Sequence, residues 1–196
     1  MKASTINLED LVILVASPNA FERKIILSML RGFGANKFLE VDQSSAIAQV
    51  LTNQRVDICM CDANIPPHNA LQVTRAIRRK EDNQNRTMPI LVMTADPRES
   101  TIKLVRDAGA NMVITKPMSP ASLYDRLAWI ALKPRQFIDT ATYFGPDRRF
   151  KIEGYPNGIG RRKEDKPVEI GAEEGPALAQ DDIDSLFNFA RTGQQS

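Results

Sequence analysis

Three polar residues stand where short apolar runs stop: Asp62 after residues 58–61, Thr94 after 90–93 and Lys116 after 112–115. Brought together by a fold, they would form a set with a definite chemistry. A carboxylate is a competent nucleophile toward an activated phosphorus. A hydroxyl can donate a hydrogen bond to a phosphoryl oxygen that arrives on that carboxylate, and an ammonium pairs with the new charge. Taken singly, each residue has a plainer use, because polar residues often close strands and Asp62 could simply pair with Lys116. The set acquires meaning only if the elements around it gather the strand ends.

Those elements are legible. Runs at residues 12–15, 38–41, 58–61, 90–93 and 112–115 read as strands, most of them continuously apolar as expected for strands covered on both faces. Helical segments are expected near residues 19–33, 44–54, 70–80, 98–108 and 120–132. The first of these carries Phe21, Ile25, Ile26, Met29, Leu30 and Phe33 as one apolar stripe. Asn19 with Glu22, Asn69 with Gln72 and Asp96 with Glu99 have capping-box spacing. Pro97 and Pro120 fall at expected first helical positions, and Gly34 and Gly109 just past helix ends. Strand–helix repeats of this kind predict a doubly wound α/β domain with a five-stranded parallel sheet. Its chemistry should collect at the carboxyl ends of the strands, near the point where strand order reverses.

The order and spacing of these stations over residues 8–132 resemble the flavodoxin-like receiver domains of two-component response regulators. Cys61-Asp62-Ala63-Asn64-Ile65-Pro66 resembles their phosphoacceptor loop, Met93-Thr94-Ala95 the switch threonine and its small neighbour, and Thr115-Lys116-Pro117 the conserved lysine and a proline bond that is often cis. The stretch from Asn19 to Gly34 follows the family's first helix without gaps. The resemblance implies that Asp62 takes a phosphoryl group from a histidine kinase or phosphotransfer protein. It implies also that Thr94 and Lys116 contact that group, and that the Asn64 carbonyl and Asp62 help to hold magnesium.

Two departures qualify this. The family's acidic pair at the end of its first strand is replaced by Ser17 and Pro18, or by Ala16 and Ser17 in a register one residue earlier. Magnesium takes one or two carboxylates among its oxygen ligands, so with Asp62 alone it should be held weakly. Val113 stands where many receivers carry an aromatic. Two readings therefore stand side by side: a working phosphoreceiver, and a pseudo-receiver that serves as a docking surface. The strand ends offer no second acid or base to work with Asp62, which argues against a small-molecule enzyme.

The 196 residues are 42% hydrophobic and 26% charged, the mix of an ordinary soluble protein. The net charge of +2 conceals +3 over residues 1–132, +4 over 133–166 and −5 over 167–196. Neither that balance nor any recognisable module points to nucleic acid, and no apolar run approaches the roughly 18–20 residues of a membrane span. The start of the chain lacks a signal-peptide pattern. Cys59 and Cys61 share a strand face, too close along it for a normal disulfide, and read as buried reduced thiols of a cytoplasmic protein.

Periodicity fades after Lys133. Residues 133–176, rich in Pro, Gly and charge, read as a disordered linker, and residues 177–191 as a short amphipathic segment. The linker holds two aromatic–turn–arginine units, ending in Arg148-Arg149 and Arg161-Arg162. Guanidinium forks bind phosphates and stack on flat rings, and some receiver-like motility proteins with arginine-rich extensions bind cyclic di-GMP. Solvated linker charge is the plainer reading. The terminal segment, with Leu178, Ile183, Leu186 and Phe187, resembles the flagellar switch peptide that docks on chemotaxis receivers, although Ala179 replaces that peptide's capping serine. Its partner would be another receiver or this chain's own.

Overall fold

The computed structural model describes residues 6–148. Five strands form one parallel sheet: β1 (Val12–Ala16), β2 (Lys37–Val41), β3 (Ile58–Asp62), β4 (Ile90–Thr94) and β5 (Met112–Thr115). Their order is β2-β1-β3-β4-β5, so the progression reverses between β1 and β3. The connecting helices are α1 (Ala20–Gly32), α2 (Ser44–Asn53), α3 (Ala70–Arg79) and α4 (Glu99–Asp107), and α5 (Pro120–Leu132) follows β5. The expected doubly wound receiver fold is the one observed, with strand ends within one residue of expectation.

Alternate residues of the strands feed two apolar layers, as a period of two requires. Ile13, Val15, Met60, Leu91, Met93 and Ile114 pack with Ile26, Leu30, Leu123 and Leu127 of α1 and α5. Leu14, Cys59, Cys61, Val92 and Val113 pack with Ile47, Leu51, Val73, Ile77 and Val105 of α2, α3 and α4. Full burial of each such side chain contributes about 1.5–3 kcal/mol, which is why the continuously apolar strands are those covered by helices on both faces. The two cysteines are reduced and buried on one face, and burial pushes the Cys59 thiol up to about 12.

Local signals behave unequally. Asn69 and Gln72 form a complete capping box on α3, and Ser119 caps α5 with Pro120 in the first turn. Gly34 and Gly109 have φ of 90° and 100°, the left-handed conformation that a helix end favours in glycine. At α4 the expected start is two residues early: Asp96 is not the cap and Pro97 is not the first helical residue. Arg98 holds the cap position without a side-chain bond. Asp96 instead accepts bonds from the Arg98 guanidinium and the Thr101 hydroxyl, which hold its carboxyl far below the usual carboxylate range.

The chain does not stop being ordered at Lys133. A hairpin of β6 (Phe137–Asp139) and β7 (Phe144–Pro146) folds back against α3 at the edge where the main strands begin. The Arg86 guanidinium lies 3.5 Å from the Phe144 ring centroid, and that of Arg78 lies 5.0 Å from Phe137. Arg78, 1% exposed, donates from Nε to the Gly109 carbonyl at 3.0 Å and from Nη2 to Asn111 Oδ1 at 3.0 Å, and a third bond goes to the Arg86 carbonyl. The start of the predicted linker is thus part of the folded unit. Three-residue strands are too short to show a period, which is why the sequence hides them. Residues 149–176 of that linker and the predicted segment 177–191 lie outside the described residues.

Candidate functional site

β1 and β3 are neighbours at the point of reversal, so their carboxyl ends open the crevice in which such folds bind ligands. Ser17 follows β1 and Asp62 ends β3; both are buried. Asp62 Oδ1 accepts a bond from the Asn64 N–H at 2.8 Å, which fixes the carboxylate's plane. Oδ2 accepts from Lys116 Nζ at 2.6 Å. Lys116 leaves the end of β5 through a cis bond to Pro117. Thr94, at the end of β4 beside Thr115, turns its hydroxyl to accept the Asp96 N–H at 3.0 Å. The fold therefore brings Asp62, Asn64 and Lys116 into direct contact and sets Thr94 at the same edge.

One member of the site has a different use by sequence spacing alone. Glu22 comes in from the first turn of α1, and its Oε1 lies 3.0 Å from Lys116 Nζ. Its Oε2 accepts the Ser17 hydroxyl at 2.7 Å. The spacing from Asn19 marks Glu22 as a capping-box acid, but only half of that box forms. The Asn19 side chain accepts from the N–H groups of Phe21 and Glu22, whereas the Asn19 N–H donates to Ser17 Oγ. A second carboxylate thus stands at strand ends that were expected to hold one.

Lys116 is bonded to both carboxylates. Partial burial pulls its pKa down, but the bonds to Asp62 and Glu22 outweigh this and hold the ammonium above its ordinary range. The cluster carries two negative charges and one positive, so a formal −1 remains at the crevice. In the two registers of the missing acid pair, Ser17 is joined by Pro18, which is exposed, or by Ala16, which is buried, and neither offers a ligand side chain.

Residues 13–128, more than half of the chain, match the response regulator receiver domain. The chain belongs to that family. Among relatives of this receiver, the chemotaxis protein CheY-3 of Vibrio cholerae is 27% identical over 119 residues, covering 61% of this chain and 90% of that protein. The sensory/regulatory protein RpfC of Xanthomonas campestris is 28% identical over 129 residues, which are 66% of this chain but only 18% of RpfC. Among solved structures, the receiver domain of the sensor histidine kinase PA1611 of Pseudomonas aeruginosa, with magnesium in its active-site cleft, aligns at TM-score 0.55 and 28% identity. That match covers 62% of this chain and 98% of the other. The Vibrio cholerae regulator CheY4 has the same fold at TM-score 0.56 and 21% identity, covering 61% of this chain and 98% of that one.

Receivers as a family imply a magnesium ion. Asp62 and the Asn64 carbonyl are the groups that could hold it, with the Glu22 carboxylate on the same ammonium, and magnesium typically takes one or two carboxylates and keeps several waters. That set fits, although among the described residues no three His, Cys, Asp or Glu side chains cluster. Val113 is buried in the layer under α4, where a ring is common in the family. Of the arginines considered for a nucleotide, Arg148 lies 4.0 Å over the Tyr143 ring and pairs with Asp107 at 3.2 Å. Arg149, Arg161, Arg162 and the anchors Leu178, Ile183, Leu186 and Phe187 lie outside the described residues. Among the described residues, no helix is long and apolar enough to cross a membrane.

Proposed function

We propose that this protein is a cytoplasmic phosphoreceiver that accepts a phosphoryl group on Asp62 from a histidine kinase or phosphotransfer protein. It passes the signal on by protein contact, in a chemotaxis or motility circuit, with no enzymatic output of its own. The observation that carries this is the 2.6 Å bond from the Lys116 ammonium to the Asp62 carboxylate at the point of strand reversal. Asp62 Oδ2 would attack the phosphorus, and the histidine nitrogen of the donor would leave. Lys116 would then pair with the phosphoryl oxygens, and the Thr94 hydroxyl would turn its proton from the Asp96 carbonyl to one of them. Magnesium bound to Asp62 and the Asn64 carbonyl would neutralise charge on the phosphoryl group in transit.

A contact surface lies alongside. Phe21 is 71% exposed and Ile25, one turn further along α1, 39% exposed. Paired apolar side chains at this spacing suit a partner helix laid against α1. The relatives named for chemotaxis support the circuit, and the terminal segment, with its resemblance to a receiver-docking peptide, suits a second receiver or this one as its target.

Intact-mass measurement after incubation with a small phosphodonor and magnesium tests the reading. One phosphoryl group should appear on the wild-type protein and none on Asp62→Ala. No gain, even with a cognate kinase, leaves the phosphorylation-independent adaptor. The cyclic di-GMP form of that adaptor would need Arg148 to exchange its contacts with Tyr143 and Asp107 for the ligand.

A further inference from the structure

The Glu22 carboxylate does not complete the capping box of the helix that carries it. In α3, Gln72 Oε1 accepts the N–H of its cap residue at 3.2 Å and completes the box. In α1 the corresponding N–H goes to Ser17 Oγ, and Glu22 reaches past it to the strand ends. Ser17 is wholly buried at the end of β1 and spends its own proton on Glu22 Oε2. Arg23, the next residue, donates to the Ser17 carbonyl at 2.6 Å and pins the turn from the other side. The whole connection between β1 and α1 therefore aims one carboxylate at Lys116.

The same ammonium already neutralises Asp62, so Glu22 is not needed to pair it. Two carboxylates gathered on one cation leave a site short of positive charge, and like charges held this close favour any further cation that can enter. On the reading that Asp62 is a phosphoacceptor, we propose that Glu22 is the second carboxylate of a divalent-cation site formed with Asp62 and the Asn64 carbonyl. It supplies from the first turn of α1 the charge that an acid pair at the end of β1 supplies in other receivers. Ser17, in the place of that pair, becomes the residue that orients Glu22. When the cation binds, it takes over from Lys116 on the two carboxylates, and the ammonium is left for the phosphoryl group.

The test uses the full chain and Mn2+ alone, with free ion counted by electron paramagnetic resonance and no phosphodonor present. Wild type should bind one ion. Glu22→Gln, which keeps the size and the bond from Ser17, should bind at least tenfold more weakly, and Asp62→Asn should lose binding. The double variant Ser17→Asp/Glu22→Gln moves the carboxylate back to the end of β1 and should recover most of the affinity. A merely structural Glu22 would not be rescued in this way. Urea midpoints of all variants confirm that each is folded, and Glu22→Asp, expected between wild type and Glu22→Gln, replaces any that is not. Wild type that binds no Mn2+ at millimolar concentration, or Glu22→Gln within twofold of wild type, overturns the proposal. Phosphorylation is read separately by mass. Glu22-dependent Mn2+ binding without phosphorylation supports the cation site and removes the phosphoacceptor reading, whereas phosphorylation with Glu22-independent Mn2+ binding removes the role of Glu22.

Discussion

The two edges of the sheet each hold a cationic side chain, and they hold it in opposite ways. At the edge where strands begin, Arg78 is enclosed by neutral acceptors, the carbonyls of Gly109 and Arg86 and the Asn111 amide, with Phe137 across its face. Burial lowers its pKa to about 10, still far above neutrality. At the edge where strands end, Lys116 is shared by two carboxylates and is about a quarter exposed. An arginine whose donors are spent on buried neutral acceptors has no other charge to pair with, and so it works as a rivet. An ammonium divided between two anions can be displaced by a third charge, and so that edge can respond to chemistry.

The contrast can be broken at either end. The largest effect should be at the responsive edge. Asp62→Ala is expected to abolish phosphoryl gain by intact mass while leaving the urea midpoint close to that of wild type. A variant that still gains mass would move the chemistry elsewhere.

Next in size is the rivet. Arg78→Met keeps the stem but takes the guanidinium from the Gly109 and Arg86 carbonyls, each worth about 1–3 kcal/mol if left buried without a partner, while Asn111 Oδ1 keeps the Ile90 N–H. A loss of about 3 kcal/mol or more in urea unfolding is expected, with phosphoryl gain at Asp62 retained. A loss below about 1 kcal/mol would mean that the hairpin edge is not held by this arginine.

Smaller, and specific to the hairpin, is Gly109→Ala. An added Cβ would lie 3.1 Å from both Arg78 Cγ and the Phe144 carbonyl oxygen, at a φ that L residues avoid. A cost of about 1–2 kcal/mol is expected, and a truncation after residue 133 should shrink the φ-independent part of it. Tyr143→Phe removes the 2.7 Å bond to the Pro146 carbonyl and should cost about 1 kcal/mol.

The smallest effect is a pH dependence. Because the folded pKa of Lys116 is raised above its ordinary 10.5, its stabilisation is complete below that value and lost as pH rises through the folded pKa. The difference in urea midpoint between wild type and Lys116→Met should therefore be flat from pH 7 to about 9.5 and narrow only above about 10.5. A difference that already narrows near neutrality would mean that Lys116 is not held by both carboxylates.

What could be read from the residues follows the range over which each signal acts. Apolar runs, most of them continuous, mark the strands to within one residue, because strands covered on both faces must bury every side chain. Asp62, Thr94 and Lys116 were visible because strand ends converge in this topology whatever the loops do. Glu22 was not, since its spacing from Asn19 satisfies a helix-capping rule that a tertiary partner then overrode. Arg78 sits in the run Arg75 to Lys80, where a buried arginine has no mark to separate it from solvated neighbours. The hairpin shows how short strands escape notice: Tyr143 and Phe144 read as the head of an aromatic–turn–arginine unit, and Phe137 as part of the linker.

Gly109 closes α4, and the backbone of Phe144 lies against the same residue, while Asp107, two residues back, holds Arg148. The hairpin is thus fastened to the very joint about which α4 would pivot. In mechanical terms the end of α4 is a fulcrum and Arg148 the point where the lever leaves it. A tilt of α4 would therefore be passed to residue 148 through the Asp107 ion pair.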